Sequence, residues 1–287
     1  MKVLVTGGAG FVGTNLIKRL LKDGHEVVSV DNYSTGLRKN EQEGCVYHDI
    51  DISKTSLNYL SWINPDIIYH IAARARIQPS IDNPHKTFKS NVKGTENVLE
   101  YARIEDIPVV YAGSSSVHGD VHANPYTFSK WQGEEMCKLY TKVFNLPTVI
   151  CRFYNVYGEH QLTDGDYCCV LGIFERQYKS YEPLTITGDG EQRRDFTYVG
   201  DIVDGLIRCG ENINEIGGEE FELGNGENYS INEVAEAFGA NYPVKYIKAR
   251  KGEIRNTLCR DENANELLGW NPRGNIVKFI EENYLND

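Results

Sequence analysis

Long apolar runs and closely spaced cysteine pairs are both missing from this sequence of 287 residues. No stretch of about 18 apolar residues occurs, and the opening letters MKVLV carry neither a charged leader nor a cleavage site. We therefore expect no membrane span and a location in the cytoplasm. The seven cysteines include the adjacent Cys168 and Cys169 but no CxxC motif, so we expect free thiols in a reducing compartment and no metal site.

Positive charge is also scarce in this chain. Lysine and arginine number 30 against 41 aspartates and glutamates, which gives a formal net charge of -11. Because binding to a nucleic-acid backbone needs a basic face, a nucleic-acid partner is not expected. An anionic small ligand would have to be bound by a few local arginines.

Apolar runs rich in β-branched residues alternate with helix-like stretches in the first half of the chain. The runs are KVLVT, HEVVSV, DIIYHIA, IPVVYAG and PTVICRF. This alternation predicts an α/β protein with a doubly wound parallel sheet covered by helices on both faces. We expect a first domain over 1–155, to which the chain returns near 194–225, and a smaller α/β lobe formed mainly by 156–287.

Three glycines follow the first predicted strand. The segment VTGGAGFVG places Gly7, Gly10 and Gly13 between that strand and the next helix. Glycines at this spacing let the backbone approach a pyrophosphate, whose charge is met by free N–H groups at the helix N-terminus. The second strand ends at Asp31, at the distance expected for a carboxylate that binds a ribose. These features predict a Rossmann-type domain that binds a dinucleotide.

Asp31 also bears on the choice of cofactor. Its carboxylate would accept hydrogen bonds from the adenosine ribose hydroxyls and repel a 2′-phosphate, which favours NAD over NADP. Arg38 is close enough in sequence to leave NADP open as the alternative.

The segment HDIDIS covers residues 48–53, between the runs HEVVSV and DIIYHIA. Asp49 and Ile50 in this segment could flank the adenine. The alternative is that Asp51 or Ser53 only caps the next helix.

A tyrosine and a lysine lie four residues apart in NPYTFSK, shortly after the serine run of YAGSSSVHGD. On a helix Tyr126 and Lys130 share one face, so the ammonium can lie beside the phenol and favour its ionised form. A free tyrosine has a pKa of about 10, but a lysine and a positive nicotinamide ring can lower it. Tyr126 is therefore a candidate general base, and a serine at the end of the preceding strand can bind the same substrate oxygen.

Taken together, these motifs resemble the extended short-chain dehydrogenases/reductases, in particular the NAD-dependent epimerase/dehydratase family and its UDP-sugar 4-epimerases. The resemblance includes HIAARARIQPSI, NVKGTENVLEYAR, RFYNVYG, TITGDGEQRRDFTYVGD and ARKGEIRNTLCRD, and so covers nearly the whole chain. It implies NAD as the cofactor and Ser114, Tyr126 and Lys130 as catalytic residues, with Ser115 as the reserve candidate for the hydroxyl. The cofactor contacts expected in all are Gly7, Gly10, Phe11, Val12, Gly13, Asp31, Asn32, Asp49, Ile50, Ala72, Ala73, Asn91, Tyr126 and Lys130.

The resemblance further implies a nucleotide-sugar substrate, with UDP as its nucleotide. An arginine fork matches phosphate oxygens, so the arginines are expected at the diphosphate together with the asparagine of RFYNVYG, and the glutamate of RKGE at the nucleoside ribose. The substrate contacts expected in this way are Ser114, Ser115, Asn155, Arg194, Arg250 and Glu253.

Two departures from the family pattern affect the sugar site. His118 stands where relatives usually have tyrosine, and only six residues separate Gly119 from Tyr126, where relatives have a longer loop. The shortened loop is expected to open the sugar site.

Three residues bear on the identity of the sugar. Thr257 stands where a bulky residue in some relatives is thought to exclude N-acetylated sugars, so it leaves room for a 2-acetamido group. Arg74 and Arg76 follow the fourth apolar region, close to where the family places the sugar. They could bind the carboxylate of a uronic acid; the alternatives are a phosphate or surface role.

Epimerisation at carbon 4 of a UDP-hexose, through a 4-keto intermediate, is the reaction that the resemblance favours. The expected substrates are the UDP-glucose/galactose pair or the N-acetylhexosamine pair. The 4,6-dehydratases usually carry Asp-Glu after the catalytic hydroxyl, where this chain has Ser115 and Ser116. A 4-ketoreductase that consumes NADPH would suit a basic residue in place of Asp31. A uronate decarboxylase or epimerase stays open, as does a non-catalytic NAD-sensing protein, although the latter would not need the serine, tyrosine and lysine together.

A homodimer is implied as well. In this family, helices similar to NVKGTENVLEYARIE and YTFSKWQGEEMCKLYTKVF pack across a twofold axis as a four-helix bundle. Val92, Val98, Met136 and Tyr140 could form that interface, although burial in the core explains many of them equally well.

Overall fold

The structure is a computed structural model that describes residues 1–54, 56–249 and 254–285. Its strands are β1 (Lys2–Thr6), β2 (Glu26–Asp31), β3 (Cys45–Asp49), β4 (Ile67–His70), β5 (Val109–Ser114), β6 (Thr148–Phe153), β7 (Asn155–Tyr157), β8 (Leu184–Thr187), β9 (Arg193–Tyr198), β10 (Glu220–Leu223), β11 (Asn228–Ser230) and β12 (Val244–Ile247). Its α-helices are α1 (Phe11–Lys22), α2 (Ile77–Asp82), α3 (Pro84–Phe88), α4 (Gly94–Glu105), α5 (Pro125–Phe144), α6 (Val170–Lys179), α7 (Val199–Glu211), α8 (Ile231–Glu236), α9 (Asn263–Leu268) and α10 (Ile276–Ile280). Shorter 3-10 or π-helical turns are Arg38–Asn40, Leu57–Ile63, Lys89–Lys93, Ser115–His118 and Glu281–Leu285.

Within the described residues, seven strands form one parallel sheet in the order β10-β6-β5-β4-β1-β2-β3. The chain winds outward from β1 through β2 and β3, and then crosses back to continue through β4, β5 and β6. Ligands bind such a sheet at the carboxyl ends of the strands beside this reversal. The expected doubly wound α/β fold is therefore confirmed, and it places the ligand site after β1 and β4.

The apolar runs become central strands because helices cover both faces of the sheet. Val3 and Val5 of β1 point to the face covered by α1 and α7, where Leu16 and Leu206 are fully buried. Leu4 points to the opposite face, which α4 and α5 cover. Burial on both faces explains why these strands are continuously apolar rather than alternating.

The C-terminal half of the chain forms a smaller lobe with its own apolar core. Strands β7, β9 and β11 make a three-stranded sheet, and β8 pairs with β12. Tyr157, Phe174 and Phe238 belong to the buried core of this lobe. Strand β10 returns to the main sheet, where it pairs with β6.

The cysteines are all free, and Cys137, Cys151 and Cys209 are fully buried. The Sγ atoms of Cys151 and Cys209 lie 3.4 Å apart. Buried thiols of this kind pack as small apolar groups. In the described part of the chain, no helix is long and apolar enough to cross a membrane.

A buried ion cluster joins β6, β10 and α5. Arg152 of β6 donates to Glu134 of α5 at 2.8 and 2.9 Å and to Glu222 of β10 at 2.9 Å, and it also contacts Glu220. The side chain of Arg152 is only 12% exposed and that of Glu134 only 1%. Burial lowers the pKa of Arg152, but its bonds to Glu134 and Glu222 outweigh burial and raise it. Arg152 therefore stays charged and balances the buried carboxylates of Glu134 and Glu222.

We predict that Arg152→Met lowers the free energy of unfolding by about 3–5 kcal/mol, because it leaves the Glu134 carboxylate buried without a counter-ion. The control is Arg103→Met, which breaks an exposed pair with Glu100 and is expected to change stability little. Urea denaturation followed by circular dichroism measures both variants. Equal stability of the two variants would show that the cluster does not stabilise the fold.

Candidate active site

A cleft of about 820 Å³ runs along the carboxyl ends of the strands, between the main sheet and the C-terminal lobe. Asp49 and Asn91 do not line it, and Arg250 and Glu253 lie outside the described residues. The other residues that the sequence indicated for cofactor or substrate do line it: Gly7, Gly10, Phe11, Val12, Gly13, Asp31, Asn32, Ile50, Ala72, Ala73, Ser114, Ser115, Tyr126, Lys130, Asn155 and Arg194.

The turn between β1 and α1 depends on the absence of side chains. Gly7 has a φ of +77°, and a Cβ there would lie 2.8 Å from the backbone of Ala72. A Cβ on Gly13 would lie 2.2 Å from the carbonyl oxygen of Gly7. Helix α1 begins directly after Gly10, without a side-chain cap. The first N–H groups of α1 are therefore left for an anion.

Asp31 ties the end of β2 to this turn. Its carboxylate accepts hydrogen bonds from the backbone N–H of Ala9 at 3.0 Å and of Tyr33 at 2.7 Å. Burial raises the pKa of Asp31, while these backbone hydrogen bonds oppose the rise. Each carboxylate oxygen has a second lone pair that can accept from a ribose hydroxyl.

Arg38 has acidic partners near the adenosine end of the cleft. Its Nη2 lies 2.5 Å from Asp49 Oδ2 and its Nη1 lies 3.5 Å from Glu41 Oε1. Because its charge is balanced in this way, Arg38 is less suited to bind a 2′-phosphate. Asp49 is thus turned toward Arg38, whereas Ile50 lines the cleft.

The segment after Ile50 does not cap a helix. Asp51 accepts hydrogen bonds from the N–H and hydroxyl of Ser53 at 3.0 and 2.6 Å, which closes a local turn. The next helical turn, Leu57–Ile63, is capped by Ser56. The alternative that Asp51 or Ser53 caps that helix is therefore wrong.

Tyr126 and Ser114 meet at the centre of the cleft. The phenol of Tyr126 donates to Ser114 Oγ at 3.2 Å, and Ser114 Oγ lies 3.0 Å from Ser116 Oγ. Lys130, one turn further along α5, is buried and donates from Nζ to the carbonyl oxygen of Ala112. The structure thus brings together the three residues that the sequence proposed as catalytic, with Ser114 rather than Ser115 hydrogen-bonded to the tyrosine.

The pKa values differ from the expectation based on helix spacing. Burial raises the pKa of Tyr126, and the groups that oppose this rise are the Ser114 hydroxyl and the charge of Arg76. We expected Lys130 to lower the pKa of Tyr126, but its ammonium is directed at the Ala112 carbonyl instead. Burial lowers the pKa of Lys130 to about 8.

Two side chains that sequence reasoning missed or misplaced fix the start of α5. Ser80 accepts a hydrogen bond from the backbone N–H of Tyr126 at 3.1 Å. Asn91 lies behind the cleft wall, where its amide group donates to Ser129 Oγ at 2.9 Å and accepts from the backbone N–H of Arg74 at 2.7 Å. Asn91 therefore joins the loop after β4 to α5, and its side chain is occupied by protein partners.

Glu134 was also missed, although it lies one helical turn after Lys130 on the same face of α5. Its carboxylate accepts from the backbone N–H of Ser114 at 3.3 Å while being held by Arg152. Burial raises the pKa of Glu134, and the hydrogen bond and charge of Arg152 oppose this. The ion cluster is thus bonded directly to the residue that contacts Tyr126.

Hydrogen bonds join the residues that line the cleft beside β7 and β9. Asn155 donates from its amide to the Asp195 carbonyl and to Thr257 Oγ1, both at 3.2 Å. Thr257 Oγ1 also accepts from the backbone N–H of Asp195 at 3.2 Å. Arg194 lies next to Asp195 on β9 and lines the cleft. Thr257 therefore supports Asn155 as well as bordering the cavity.

His118 lies at the end of the helical turn Ser115–His118. Its Nε2 lies 2.9 Å from Glu222 Oε1, and the hydrogen bond to Glu222 raises the pKa of His118. The short segment before α5 ends at Asn124, whose side chain caps the helix by accepting from the Thr127 N–H at 2.9 Å. His118 is thereby linked to the ion cluster and not to Tyr126.

This geometry, a glycine turn beside a serine–tyrosine–lysine group, agrees with a match between residues 3–224 and the model of the NAD dependent epimerase/dehydratase family. The chain belongs to this family. The family expected from the sequence is thus confirmed, and with it NAD as the family's cofactor.

Relatives in this family act on several UDP-sugars. A UDP-glucose 4-epimerase of Mycolicibacterium smegmatis is 33% identical over 98% of this chain and 96% of its own length. UDP-glucuronic acid decarboxylase 1 of Xenopus tropicalis is 31% identical over 94% of this chain and 68% of its own length. The crystal structure of a UDP-glucuronic acid 4-epimerase from Bacillus cereus, with UDP-glucuronic acid and NAD, has a TM-score of 0.90 and 29% identity, covering 99% of this chain and 98% of that chain.

The residues at the nucleotide end fit NAD. A Cβ would fill the turn at Gly7 and Gly13, so the backbone can come close to a pyrophosphate there. The Asp31 carboxylate, which is 8% exposed, faces the cleft where a ribose would lie and disfavours a 2′-phosphate.

We predict that Gly13→Ala weakens NAD binding about tenfold or more, because its Cβ must push the Gly7 carbonyl away and open the turn. Titration calorimetry with NAD measures the effect. Gly119→Ala is the matched control, since a Cβ there would meet only the Ser116 carbonyl, at 3.6 Å. Wild-type affinity in Gly13→Ala would contradict the assignment of this turn to the pyrophosphate.

Proposed function

We propose that this protein is an NAD-dependent 4-epimerase of a UDP-sugar. The observation that supports this most directly is the hydrogen bond of 3.2 Å between the Tyr126 phenol and Ser114 Oγ, in the cleft that the glycine turn also borders. A substrate hydroxyl that replaced this hydrogen bond would contact both residues. The UDP-glucose 4-epimerase and the UDP-glucuronic acid decarboxylase described above support the substrate class, since both act on UDP-sugars.

The proposed reaction removes and restores hydrogen at carbon 4. Ionised Tyr126 takes the proton of the 4-hydroxyl, while Ser114 Oγ donates a hydrogen bond to the same oxygen. The C4–H bond then breaks with loss of hydride, which leaves a 4-keto sugar still attached to its diphosphate. Bound NAD supplies a hydride acceptor that becomes the donor in the reverse step. After the ring turns its other face, hydride addition inverts carbon 4 and Tyr126 returns the proton.

Substrate anchoring is assigned to the C-terminal lobe. We place the diphosphate near Asn155 and Arg194. Arg250 and Glu253, which lie outside the described residues, are proposed as further contacts of the nucleotide. On this basis residues 1–155, with the return of the chain near 194–225, bind the cofactor, and 156–287 mainly bind the substrate. Firm diphosphate contacts with looser sugar contacts would let the 4-keto ring turn without leaving.

Dehydration fits the site less well. Elimination of water from the sugar needs an acid and a base close to the catalytic hydroxyl. In this chain the next two residues after Ser114 are Ser115 and Ser116, neither of which titrates near neutral pH. We therefore place epimerisation ahead of 4,6-dehydration.

We predict that Tyr126→Phe lowers the rate of epimerisation by at least about a hundredfold, because the proton acceptor is lost. Proton NMR of the anomeric signals, with NAD and UDP-glucose or UDP-glucuronate, detects the 4-epimer. The control is Tyr101→Phe, which also removes a tyrosine hydroxyl but one that donates to the Leu60 carbonyl within the core. If Tyr126→Phe retains wild-type activity and binds NAD normally, Tyr126 is not the general base.

We also propose a homodimer formed through α4 and α5. Val98 is fully buried in the monomer core, and Met136 and Tyr140 pack partly against that core, so Val98 was a wrong candidate for the interface. The exposed apolar side chains on these two helices are better candidates: Ile104, Leu139, Val143 and Phe144.

Leu139→Lys is expected to shift the protein from dimer to monomer at micromolar concentration, because it places a charge in an apolar interface. Sedimentation velocity measures the change. Leu267→Lys is the control, since Leu267 is similarly exposed on α9. A wild-type protein that sediments only as a monomer would overturn the dimer.

A further inference from the structure

Two arginines at the sugar end of the cleft lack a carboxylate partner. Arg74 and Arg76 follow β4 and line the cleft. Among the described residues, no carboxylate lies within 4 Å of either guanidinium, although Asp82 and Asp166 also border the cavity. In a chain with a net charge of -11, uncompensated cations at a cavity wall indicate that a ligand supplies the negative charge.

Tyr167 holds both arginines through neutral groups. Arg74 donates from Nη1 to the Tyr167 hydroxyl at 3.0 Å, and Arg76 donates from Nε to the Tyr167 carbonyl at 2.9 Å. A further bond of 3.1 Å joins Arg76 Nη1 to the carbonyl oxygen of Ala75. These bonds fix the side chains but leave the charge unbalanced and part of the five-donor guanidinium of Arg76 available.

The two arginines differ in position. Arg74 also borders a shallow pocket with Asp49, Asp51 and Lys54 on the adenosine side, and its buried Nε has no hydrogen-bond partner among the described residues. Arg76 directly precedes α2, and Ser80 of that helix accepts a hydrogen bond from the backbone N–H of Tyr126 at 3.1 Å. The charge of Arg76 also lowers the pKa of Tyr126 against the effect of burial. Arg76 is therefore the arginine near the catalytic tyrosine.

The position of Arg76 selects one part of a bound sugar. In the proposed function, Tyr126 contacts the oxygen on carbon 4. The two neighbouring ring carbons are carbon 3, which carries a hydroxyl, and carbon 5, which carries carbon 6. The diphosphate is attached at carbon 1, on the opposite side of the ring from carbon 4. A cation beside Tyr126 is thus close to the substituents of carbon 3 and carbon 5 and remote from the diphosphate. Of these two substituents, only the one on carbon 5 can be a carboxylate.

We propose that Arg76 binds the carboxylate of carbon 6, so that the substrate is a UDP-hexuronic acid rather than a neutral UDP-hexose. Arg74 binds the Tyr167 hydroxyl, and the backbone carbonyl of the same residue orients Arg76. The inference rests on the proposed function for the placement of the sugar. A hexose with a 6-hydroxyl would shield this guanidinium from water without balancing its charge, whereas a carboxylate forms charge-assisted hydrogen bonds with it.

Binding is the primary test, because the charge of Arg76 also affects the pKa of Tyr126 and would mix recognition with rate. Titration calorimetry uses NAD-loaded protein carrying Tyr126→Phe, which stops turnover. We expect UDP-glucuronate to bind about tenfold or more tightly than UDP-glucose. Adding Arg76→Gln should remove this preference by weakening UDP-glucuronate alone.

Two further variants separate recognition from general electrostatics and from folding. Arg19→Gln removes the same charge on α1, outside the cleft, where Arg19 pairs with Asp23, and it should preserve the preference. Arg76→Lys keeps the charge but loses the fork, and should give an intermediate preference even if Arg76→Gln is poorly folded. Equal wild-type affinity for both sugars, or equal weakening of both by Arg76→Gln, would overturn the inference.

Product analysis separates this inference from the proposed function. Conversion of UDP-glucuronate to its 4-epimer by wild-type protein supports both. A UDP-pentose and CO₂ would support carboxylate binding but replace epimerisation: the C5–C6 bond of the 4-keto acid breaks, its electrons pass to carbon 5, and carbon 5 takes up a proton. The hydride first removed from carbon 4 then returns to the 4-keto pentose. Epimerisation of UDP-glucose, with UDP-glucuronate neither bound nor converted, would overturn the inference and leave the proposed function standing.

Discussion

The ion cluster around Arg152 connects the stability of the sheet to the geometry of the candidate active site. Glu134 accepts from the Ser114 N–H at 3.3 Å and from Arg152 at 2.8 Å, so the position of the serine depends on the charge balance within β6, β10 and α5. Burial raises the pKa of Glu222, but hydrogen bonds from His118 and Arg152 outweigh it and keep that pKa low. His118 joins this cluster through its contact with Glu222. Removing one partner of a buried ion pair leaves the other charge uncompensated, so the members of this cluster must stay in place. The cluster thereby restricts the position of Ser114 and of its hydroxyl.

The nucleotide end depends on a different constraint, which is steric. The turn after β1 closes because Gly7 and Gly13 leave the backbone uncovered, and Asp31 then ties β2 to it through the N–H of Ala9. These contacts involve backbone atoms close in sequence or in register. The glycine turn therefore tolerates few substitutions. It can bind a dinucleotide whichever residues line the sugar end of the cleft.

This difference explains what the sequence could predict. The glycine turn, the parallel sheet and the pair Tyr126 and Lys130 follow from local spacing. The contacts of Asn91 and the bond of Glu134 to Ser114 depend on elements brought together by the fold, and spacing alone did not indicate them. The direction of the Lys130 ammonium was missed for the same reason, since helix periodicity gives the shared face but not the acceptor.

The different environments of Arg152 and Arg76 also bear on how a sugar could turn within the site. Inversion at carbon 4 requires the 4-keto ring to present both faces, so any contact to carbon 6 must break and reform in each cycle. Arg152 is bonded to the buried carboxylates of Glu134 and Glu222 and also to Glu220, so its ion pairs are suited to a permanent structural role. Among the described residues, the hydrogen-bond partners of Arg76 are backbone carbonyl oxygens, and Arg76 borders an open cleft. A single ion pair with the sugar carboxylate must therefore be exchanged for water in each cycle. An arginine held in this way can select a carboxylate in one orientation and still release it, which a fully ion-paired arginine could not do.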